Sequence, residues 1–138
     1  MDQISIKNTV LSGLNLKNTK ARSGVLEILN QRKTPLDAGE IALHLKREGV
    51  ETNLATVYRI LDIFYKKGLV DRLEFQEGKF RFELPKGEHH HLICENCGAI
   101  EDFSDCSLSD LEKEIGKKKG FSVKRHCLEF YGFCKNCS

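Results

Sequence analysis

The chain is 138 residues long, 40% hydrophobic and 30% charged, which suits a soluble globular protein of one domain or two small ones. Its net charge is only +2, so overall charge does not identify a binding partner. No apolar run approaches membrane-spanning length, and the N-terminus lacks the pattern of a signal peptide. We therefore expect a cytoplasmic protein that does not bind a membrane, in which paired cysteines are metal ligands or redox centres.

Positive charge is concentrated near the N-terminus, where residues 1–35 contain six basic side chains against Asp2 and Glu27. Such a segment favours contact with phosphates, and a solvated face is the alternative. The six are Lys7, Lys17, Lys20, Arg22, Arg32 and Lys33.

Apolar residues recur at helical spacing through most of the first 67 positions. This spacing predicts an amphipathic segment over 4–14 and a helix over 22–29. Asp37 and Glu40 form a capping box, which predicts a further helix that ends at Gly49.

The strongest helix follows a cap at Thr52-Asn53 and is expected to stop at Gly68. Its predicted inner stripe is Leu54, Val57, Leu61 and Phe64. The period then changes to two, which predicts strands over 69–75 and 79–84 around a turn at 76–78. Three helices followed by a hairpin is the layout of a winged helix-turn-helix.

A Pro-Lys-Gly sequence at 85–87 predicts a hinge between a winged-helix domain over 1–84 and a second domain over 88–138. The expected fold class is α+β, with a small α/β second domain.

Within this second domain, strands are predicted over 91–94, 99–103 and 121–130. A helix capped by Ser107 is expected to run to about residue 119.

Two Cys-x-x-Cys pairs stand at the two ends of the second domain. Four thiolates at this spacing form a closed tetrahedral site that suits Zn²⁺, and the separation of the pairs argues against the alternative, a thiol–disulfide centre. About 50 residues bury too little apolar surface to fold unaided, so zinc or a partner subunit should stabilise this domain. A closed site leaves no position for activated water, so no enzyme is expected. The ligands would be Cys94, Cys97, Cys134 and Cys137.

Histidines and carboxylates beside the first cysteine pair form a second cluster. Because alternate residues of a strand share a face, His89 and His91 point one way and could join Glu83 and Asp102 in one site. Imidazole and carboxylate ligands suit Fe²⁺, Mn²⁺ or Zn²⁺, and a polar surface run is the alternative.

The intervening His90 points the other way and could form another site with Glu88 and His126. The two remaining thiols, Cys106 and Cys127, are expected to be inert, with metal binding or oxidation sensing as the alternative.

The start of the helix before the hairpin is where a helix-turn-helix protein reads the major groove. Its polar and methyl-bearing side chains suit contacts to bases and phosphates, whereas an ordinary amphipathic helix is the alternative. The candidates are Asn53, Ala55, Thr56, Tyr58 and Arg59.

With these residues placed, the chain resembles the ferric uptake regulator family over nearly its whole length. The matching motifs are Ala-Thr-Val-Tyr-Arg at 55–59, Gly-Leu-Val at 68–70, Phe-Glu-Leu at 82–84, His-His-His-Leu-Ile-Cys-Glu-Asn-Cys-Gly at 89–98 and Leu-Glu-Phe-Tyr-Gly-Phe-Cys-Lys-Asn-Cys at 128–137.

The resemblance implies a homodimeric, metal-activated transcriptional repressor that binds a double-stranded DNA operator and needs no small organic cofactor. It implies structural zinc at the four paired cysteines. It assigns Tyr58 to base contact, Arg59 to backbone contact and Lys17 to the minor groove.

The family's regulatory site between the domains maps onto Glu83, His89, His91 and Asp102 or Glu101. Its auxiliary site maps onto Glu88, His90 and His126.

The chain departs from the family pattern in three respects. Thr34 stands where the family usually places a histidine ligand, which keeps open a constitutive DNA-binding protein whose only metal is structural zinc. At the auxiliary site, His90 replaces an aspartate and Ser109 replaces a helix glutamate, for which Asp110 could substitute. The Glu83 carboxylate favours iron or manganese over zinc. Zinc-uptake and peroxide-stress regulators of the same family remain alternatives to an iron regulator.

Overall fold

The computed structural model describes residues 11–32, 34–87, 89–104 and 108–138. The chain forms two compact units, the first ending at Pro85 and the second beginning at Lys86. Most of the amphipathic segment predicted over 4–14 lies outside the described residues, but positions 11–13 are helical. Within the described part of the chain, no helix is both long and apolar enough to cross a membrane.

After the helical positions 11–13, the described part of unit 1 contains three helices: α1, Lys20–Gln31; α2, Ala38–Arg47; and α3, Leu54–Lys66. Their apolar faces meet in one core, where a Cβ added at Gly24 of α1 would lie 2.6 Å from Leu45 Cδ2 of α2. This close approach explains a glycine within α1, because a larger side chain would displace a fully buried leucine.

Each of these helices begins at a residue whose side chain satisfies a free backbone amide. The Asp37 and Glu40 side chains form both hydrogen bonds of the predicted capping box on α2. Asn53 Oδ1 accepts a 2.8 Å hydrogen bond from the Thr56 amide at the start of α3. Thr19 caps α1 in the same way, so the predicted starts of α2 and α3 are confirmed.

The inner face of α3 differs from the predicted one at its first residue. Val57, Leu61 and Phe64 are buried as predicted, together with Ile60. Leu54 is 46% exposed, so its assignment to the inner stripe was wrong. Leu54 lies in the first turn of the helix, and the core covers the apolar stripe only from the second turn onward.

The wing is a three-stranded antiparallel sheet of order β1-β3-β2, formed by β1, Leu36–Asp37, β2, Asp71–Glu74, and β3, Phe80–Glu83. The hairpin β2–β3 is shorter than predicted, and β1 was not predicted because two residues show no periodicity. In the turn, Gln76 and Gly78 have φ values of 62° and 76°, which a tight reversal requires.

Ion pairs fasten the wing to the start of α2. Lys79 Nζ donates to Asp37 Oδ2 at 2.6 Å, and Arg81 Nη1 donates to Glu40 Oε1 at 2.9 Å while its other nitrogens contact Glu77. Burial raises the pKa of Asp37, but hydrogen bonds from Lys79 and Glu40 outweigh it and bring the pKa to about 2. The same contact with Asp37 raises the pKa of Lys79.

The depressed pKa of Asp37 predicts a pH-dependent contribution to the stability of unit 1. Since the folded pKa of about 2 lies below the ordinary 3.8, the contribution is complete above about pH 4 and is lost as the pH falls toward 2. Asp37→Asn keeps the cap oxygen and removes the charge, so it should cost about 2 kcal/mol at neutral pH and much less at pH 2.5.

Hydrogen exchange of the β3 amides would measure this loss in unit 1 alone. Asp62→Asn is the matched control, because Asp62 forms an exposed i,i+4 pair with Lys66. An equal cost of Asp37→Asn at both pH values would contradict the electrostatic explanation.

A second contact holds the wing against α3. The Arg72 guanidinium of β2 lies over the rings of Tyr65 and Phe80, 4.1 Å and 4.2 Å from their centroids. This stack joins the end of α3 to both strands of the hairpin.

Unit 2 consists of β4, His90–Cys94, β5, Ile100–Phe103, α4, Ser109–Lys119, and β6, Glu129–Gly132. Its sheet has the order β5-β4-β6, with β4 antiparallel to β5 and parallel to β6. The predicted cap at Ser107 lies outside the described residues.

The long strand predicted over 121–130 was wrong for most of its length. Only Glu129–Gly132 pairs with β4, in a register that aligns His91 with Glu129 and Cys94 with Gly132. Because β4 begins at His90, residues 121–127 lie beyond its start in this register, and residues 121–128 are irregular.

Candidate metal centres and nucleic-acid interface

The four paired cysteines come together in unit 2. Cys94 ends β4, and the parallel pairing of β4 with β6 places the turn after β6 beside it. The four Sγ atoms lie within 4.8 Å of one another, and Cys97 Sγ lies 3.8 Å from Cys134 Sγ. A tetrahedron with metal–sulfur bonds of about 2.3 Å has edges of about 3.8 Å, so these thiols fit Zn²⁺.

Backbone amides favour the thiolate form at the centre of this group. The amides of Cys97 and Cys134 lie 3.5 Å and 3.3 Å from Cys94 Sγ, and their hydrogen bonds lower the pKa of Cys94 to about 6. A hydrogen bond with Asn96 lowers the pKa of Cys137, but the neighbouring Cys134 thiol and burial outweigh it and raise the pKa to about 11. The surroundings thus favour the thiolate of Cys94 and oppose that of Cys137. A bound cation would stabilise both thiolates.

A second group lies on the two antiparallel strands of unit 2. His91 faces Asp102 across the β4–β5 ladder, with Nε2 3.5 Å from Oδ1, and the His89 ring centroid is 4.8 Å from that of His91. One ligand atom from each of the three residues lies within 4.8 Å of the others. His91 is only 3% exposed, so this group is partly screened from water.

Hydrogen bonding orients His89. Its Nδ1 donates to the carbonyl oxygen of Gly87 at 2.9 Å, which leaves Nε2 as the nitrogen with a lone pair. Metal-binding histidines are commonly fixed in this way by a backbone carbonyl.

Glu101 and Asp102 were alternatives for the same ligand position. Asp102 is the one that pairs with His91, whereas Glu101 pairs with Leu92 and projects from the opposite face of β5. The geometry therefore favours Asp102.

The two remaining residues considered for the regulatory site belong to unit 1. Glu83 ends β3 and is only 4% exposed, an unusual degree of burial for a carboxylate. Thr34 is half-buried just before β1, and its hydroxyl is a poorer metal ligand than an imidazole.

On the other face of β4, His90 meets residues from later in unit 2. His90 Nε2 lies 3.3 Å from His126 Nε2, and His126 Nδ1 shares a short hydrogen bond with Glu112 of α4. Glu88 lies outside the described residues. The structure thus joins His90 and His126 as predicted from the sequence and adds Glu112, which sequence reasoning missed.

Asp110, which the sequence offered as a substitute for the family's helix glutamate at the auxiliary site, is exposed. Two helical positions correspond to a rotation of about 200°, so Asp110 and Glu112 project from opposite sides of α4. Glu112 is three residues after Ser109, and this i,i+3 spacing was the available signal.

Of the other two thiols, Cys127 is exposed and lies outside the four-cysteine group, and Cys106 is outside the described residues. His44, on α2, lies 3.2 Å from an Arg32 nitrogen through its Nδ1.

The proposed reading face of α3 is exposed. Ala55 and Arg59 are exposed and Tyr58 is 54% exposed, while the opposite face of the helix is buried. Asn53 Oδ1 and Thr56 Oγ1 already accept hydrogen bonds, from the Thr56 amide and from Arg59 at 3.4 Å. The side-chain oxygens of Asn53 and Thr56 are thus engaged within the helix start, whereas Tyr58 and Ala55 are exposed.

The sixth candidate, Lys17, is exposed and precedes α1. Its carbonyl oxygen accepts a 2.9 Å hydrogen bond from Arg22, which anchors the backbone and leaves the ammonium in solvent.

Comparisons with known proteins match this architecture. A model of the ferric uptake regulator family matches residues 13–131. The ferric uptake regulation protein of Bordetella parapertussis is 39% identical over 138 residues, covering 99% of this chain and 96% of that protein.

Two solved structures are similar over nearly the whole chain. The Vibrio cholerae ferric uptake regulator has a TM-score of 0.82 at 39% identity and covers 92% of this chain and 98% of its own. The Helicobacter pylori regulator, described as having three functional metal binding sites, has a TM-score of 0.82 at 29% identity and covers 98% and 91%.

A winged helix joined to a unit with a four-thiolate centre and a histidine-carboxylate group defines a metal-responsive transcriptional regulator. The chain belongs to the ferric uptake regulator family. The members of this family regulate transcription and are not enzymes.

Proposed function

We propose that this protein is an iron-responsive repressor that acts in the cytoplasm as a homodimer on operator DNA. Four cysteines would hold structural zinc, and His89, His91 and Asp102, with Glu83, would hold the regulatory cation. The observation that carries this proposal is the convergence of two imidazoles and a carboxylate on one side of β4–β5, separate from the thiols.

The placement of these ligands along the chain suggests how metal would act. Glu83 precedes the 85–87 segment, and His89 and His91 follow it. One divalent cation bound by all three residues would supply a link between the two units. Glu83 and the two histidines would then restrict the hinge. DNA binding would increase by the factor by which the cation binds the DNA-competent arrangement more tightly than the other arrangements.

The ligand types and the relatives together favour iron as the regulatory metal. Imidazole with two carboxylates is a harder donor set than thiolate and suits Fe²⁺ or Mn²⁺ as well as Zn²⁺. The curated relatives are named for ferric uptake, and this places Fe²⁺ first among the three.

Exposed apolar side chains support the homodimer. The helix α4 contains no buried residue, although it is amphipathic in sequence. The large apolar residues exposed on unit 2 include Leu111, Ile115, Phe121, Phe130 and Phe133. Such a surface fits a second copy of the chain.

The DNA contacts can be tested on α3. Tyr58→Ala should weaken operator binding by about 1–3 kcal/mol and relax base preference at one position, whereas Arg59→Ala should weaken binding to all sequences and reduce the salt slope by about one. Fluorescence anisotropy at several salt concentrations would measure both. Tyr58→Phe is the matched control for the hydroxyl, and full affinity in Tyr58→Ala would exclude Tyr58 from the interface.

The central experiment is an anaerobic operator titration of zinc-loaded protein with Fe²⁺, Mn²⁺ or additional Zn²⁺. We expect affinity to rise by at least about tenfold, the usual scale of allosteric coupling. Unchanged affinity would instead support a constitutive DNA-binding protein, the candidate that Thr34 favours because it removes one usual ligand.

A further inference from the structure

The segment that joins the two units contacts the histidine-carboxylate group directly. Lys86 Nζ lies 2.5 Å from Asp102 Oδ2. The side chains of Lys86 and Asp102 are 34% and 29% exposed, so the pair is more screened from water than an ordinary surface pair. All of these atoms belong to unit 2.

The two oxygens of Asp102 face different neighbours. Oδ1 lies 3.5 Å from His91 Nε2, and Oδ2 accepts the hydrogen bond from Lys86. A cation bound by His91 and Asp102 would therefore lie next to the Lys86 ammonium. Two like charges this close repel each other strongly in a partly buried site, so a divalent cation must either displace Lys86 or tolerate its charge.

We propose that Lys86 is the resident counter-cation of the regulatory site. Lys86 neutralises Asp102 when the site holds no divalent cation, and its positive charge lowers the affinity of the site for one. This inference rests on the proposed regulatory role of His89, His91 and Asp102. Its consequence is a threshold: the site fills only at a metal concentration high enough to overcome the Lys86–Asp102 pair.

The neighbouring residue has the opposite effect. The Gly87 carbonyl orients the His89 ring, which assists metal binding, whereas Lys86 competes for Asp102. Two consecutive residues at the start of unit 2 therefore set the affinity of the same group in opposite directions. Metal binding would alter the contacts of residue 86 and retain those of residue 87.

The test is the Mn²⁺ affinity of the zinc-loaded full-length protein, measured from the electron paramagnetic resonance signal of free Mn²⁺. Lys86→Met should bind Mn²⁺ about tenfold more tightly than the wild type, because it keeps the aliphatic chain and removes the charge. Lys86→Arg keeps the charge and should stay within about twofold of the wild type. Lys118→Met is the charge-matched control, since Lys118 pairs with Glu114 on exposed α4.

A double-mutant cycle assigns the effect to the pair. In an Asp102→Asn background, Lys86→Met should increase Mn²⁺ affinity much less than in the wild type, because the carboxylate for which Lys86 competes is gone and only the repulsion between the two cations remains. Unchanged or weaker binding in Lys86→Met, with the wild type binding normally, would overturn the inference and make Lys86 an orienting residue. Failure of the wild type itself to bind Mn²⁺ beyond its zinc would overturn the proposed regulatory site instead.

Discussion

Replacing Cys94 with serine is expected to release the zinc and unfold unit 2. Cys94 ends β4, is 5% exposed and receives amide hydrogen bonds from Cys97 and Cys134, so its sulfur connects both cysteine pairs. Structural zinc contributes about 10–16 kcal/mol of apparent binding free energy in small domains, and three ligands retain only part of it. A unit this small cannot offset such a loss by burial of its few apolar side chains.

Zinc content by elemental analysis, the dispersion of unit 2 amide signals in NMR spectra and the mass in solution would measure this effect. The expected variant contains less than one zinc per chain, has collapsed unit 2 signals and is no longer a dimer. Cys127→Ser is the matched control, because Cys127 is exposed and lies outside the four-cysteine group. A folded, dimeric Cys94→Ser protein would show that the centre does not stabilise unit 2.

Replacing His91 with alanine is expected to abolish the metal response and retain the structural zinc. His91 is buried, faces Asp102 across the ladder and lies beside His89. Loss of residues that merely support metal ligands already costs 10–100-fold in affinity, so loss of this ligand should cost at least about 100-fold. Operator binding would then stay at its metal-free value at concentrations that saturate the wild type.

Parallel titrations of metal binding and operator binding would check this result. His44→Ala is the matched control, since His44 belongs to α2 of unit 1, where its Nδ1 lies 3.2 Å from an Arg32 nitrogen. His89→Ala provides a second, less buried variant if the loss of His91 disturbs β4. A full metal response in both His91→Ala and His89→Ala would place the sensing site elsewhere.

The two variants separate two uses of metal in one small unit. Cys94 belongs to a closed set of four soft ligands, which favours zinc and leaves no open position. His91 belongs to a mixed set of harder ligands, which exchanges more readily and favours iron or manganese. Stability should therefore follow Cys94, and regulation should follow His91.

The sequence by itself determined the features that depend on local order and short spacing. The Asp37–Glu40 capping box, the Asn53 cap and the helices that they open follow from hydrogen bonds within three residues. The facing of His89 and His91 away from His90 followed from the period of a strand. The four-thiolate centre followed from soft ligands in two tight turns.

Only the tertiary structure decided the contacts between residues that are distant in the sequence. It chose Asp102 over Glu101 through the β4–β5 register, and it brought Glu112 to His126, because each of these contacts joins residues that lie far apart in the chain. It also removed Leu54 from the core of unit 1. These outcomes depend on which surfaces meet after the helices and strands have formed, and local periodicity carries no information about that.

The Lys86–Asp102 pair belongs to the same class. Sixteen positions separate the two residues, and the sequence suggested only a hinge at 85–87. The fold turns one residue of that hinge into a cation beside the candidate metal ligands. The sequence determined which ligands the chain possesses, and the tertiary structure decided which charges surround them, because electrostatic interactions depend on distance in space.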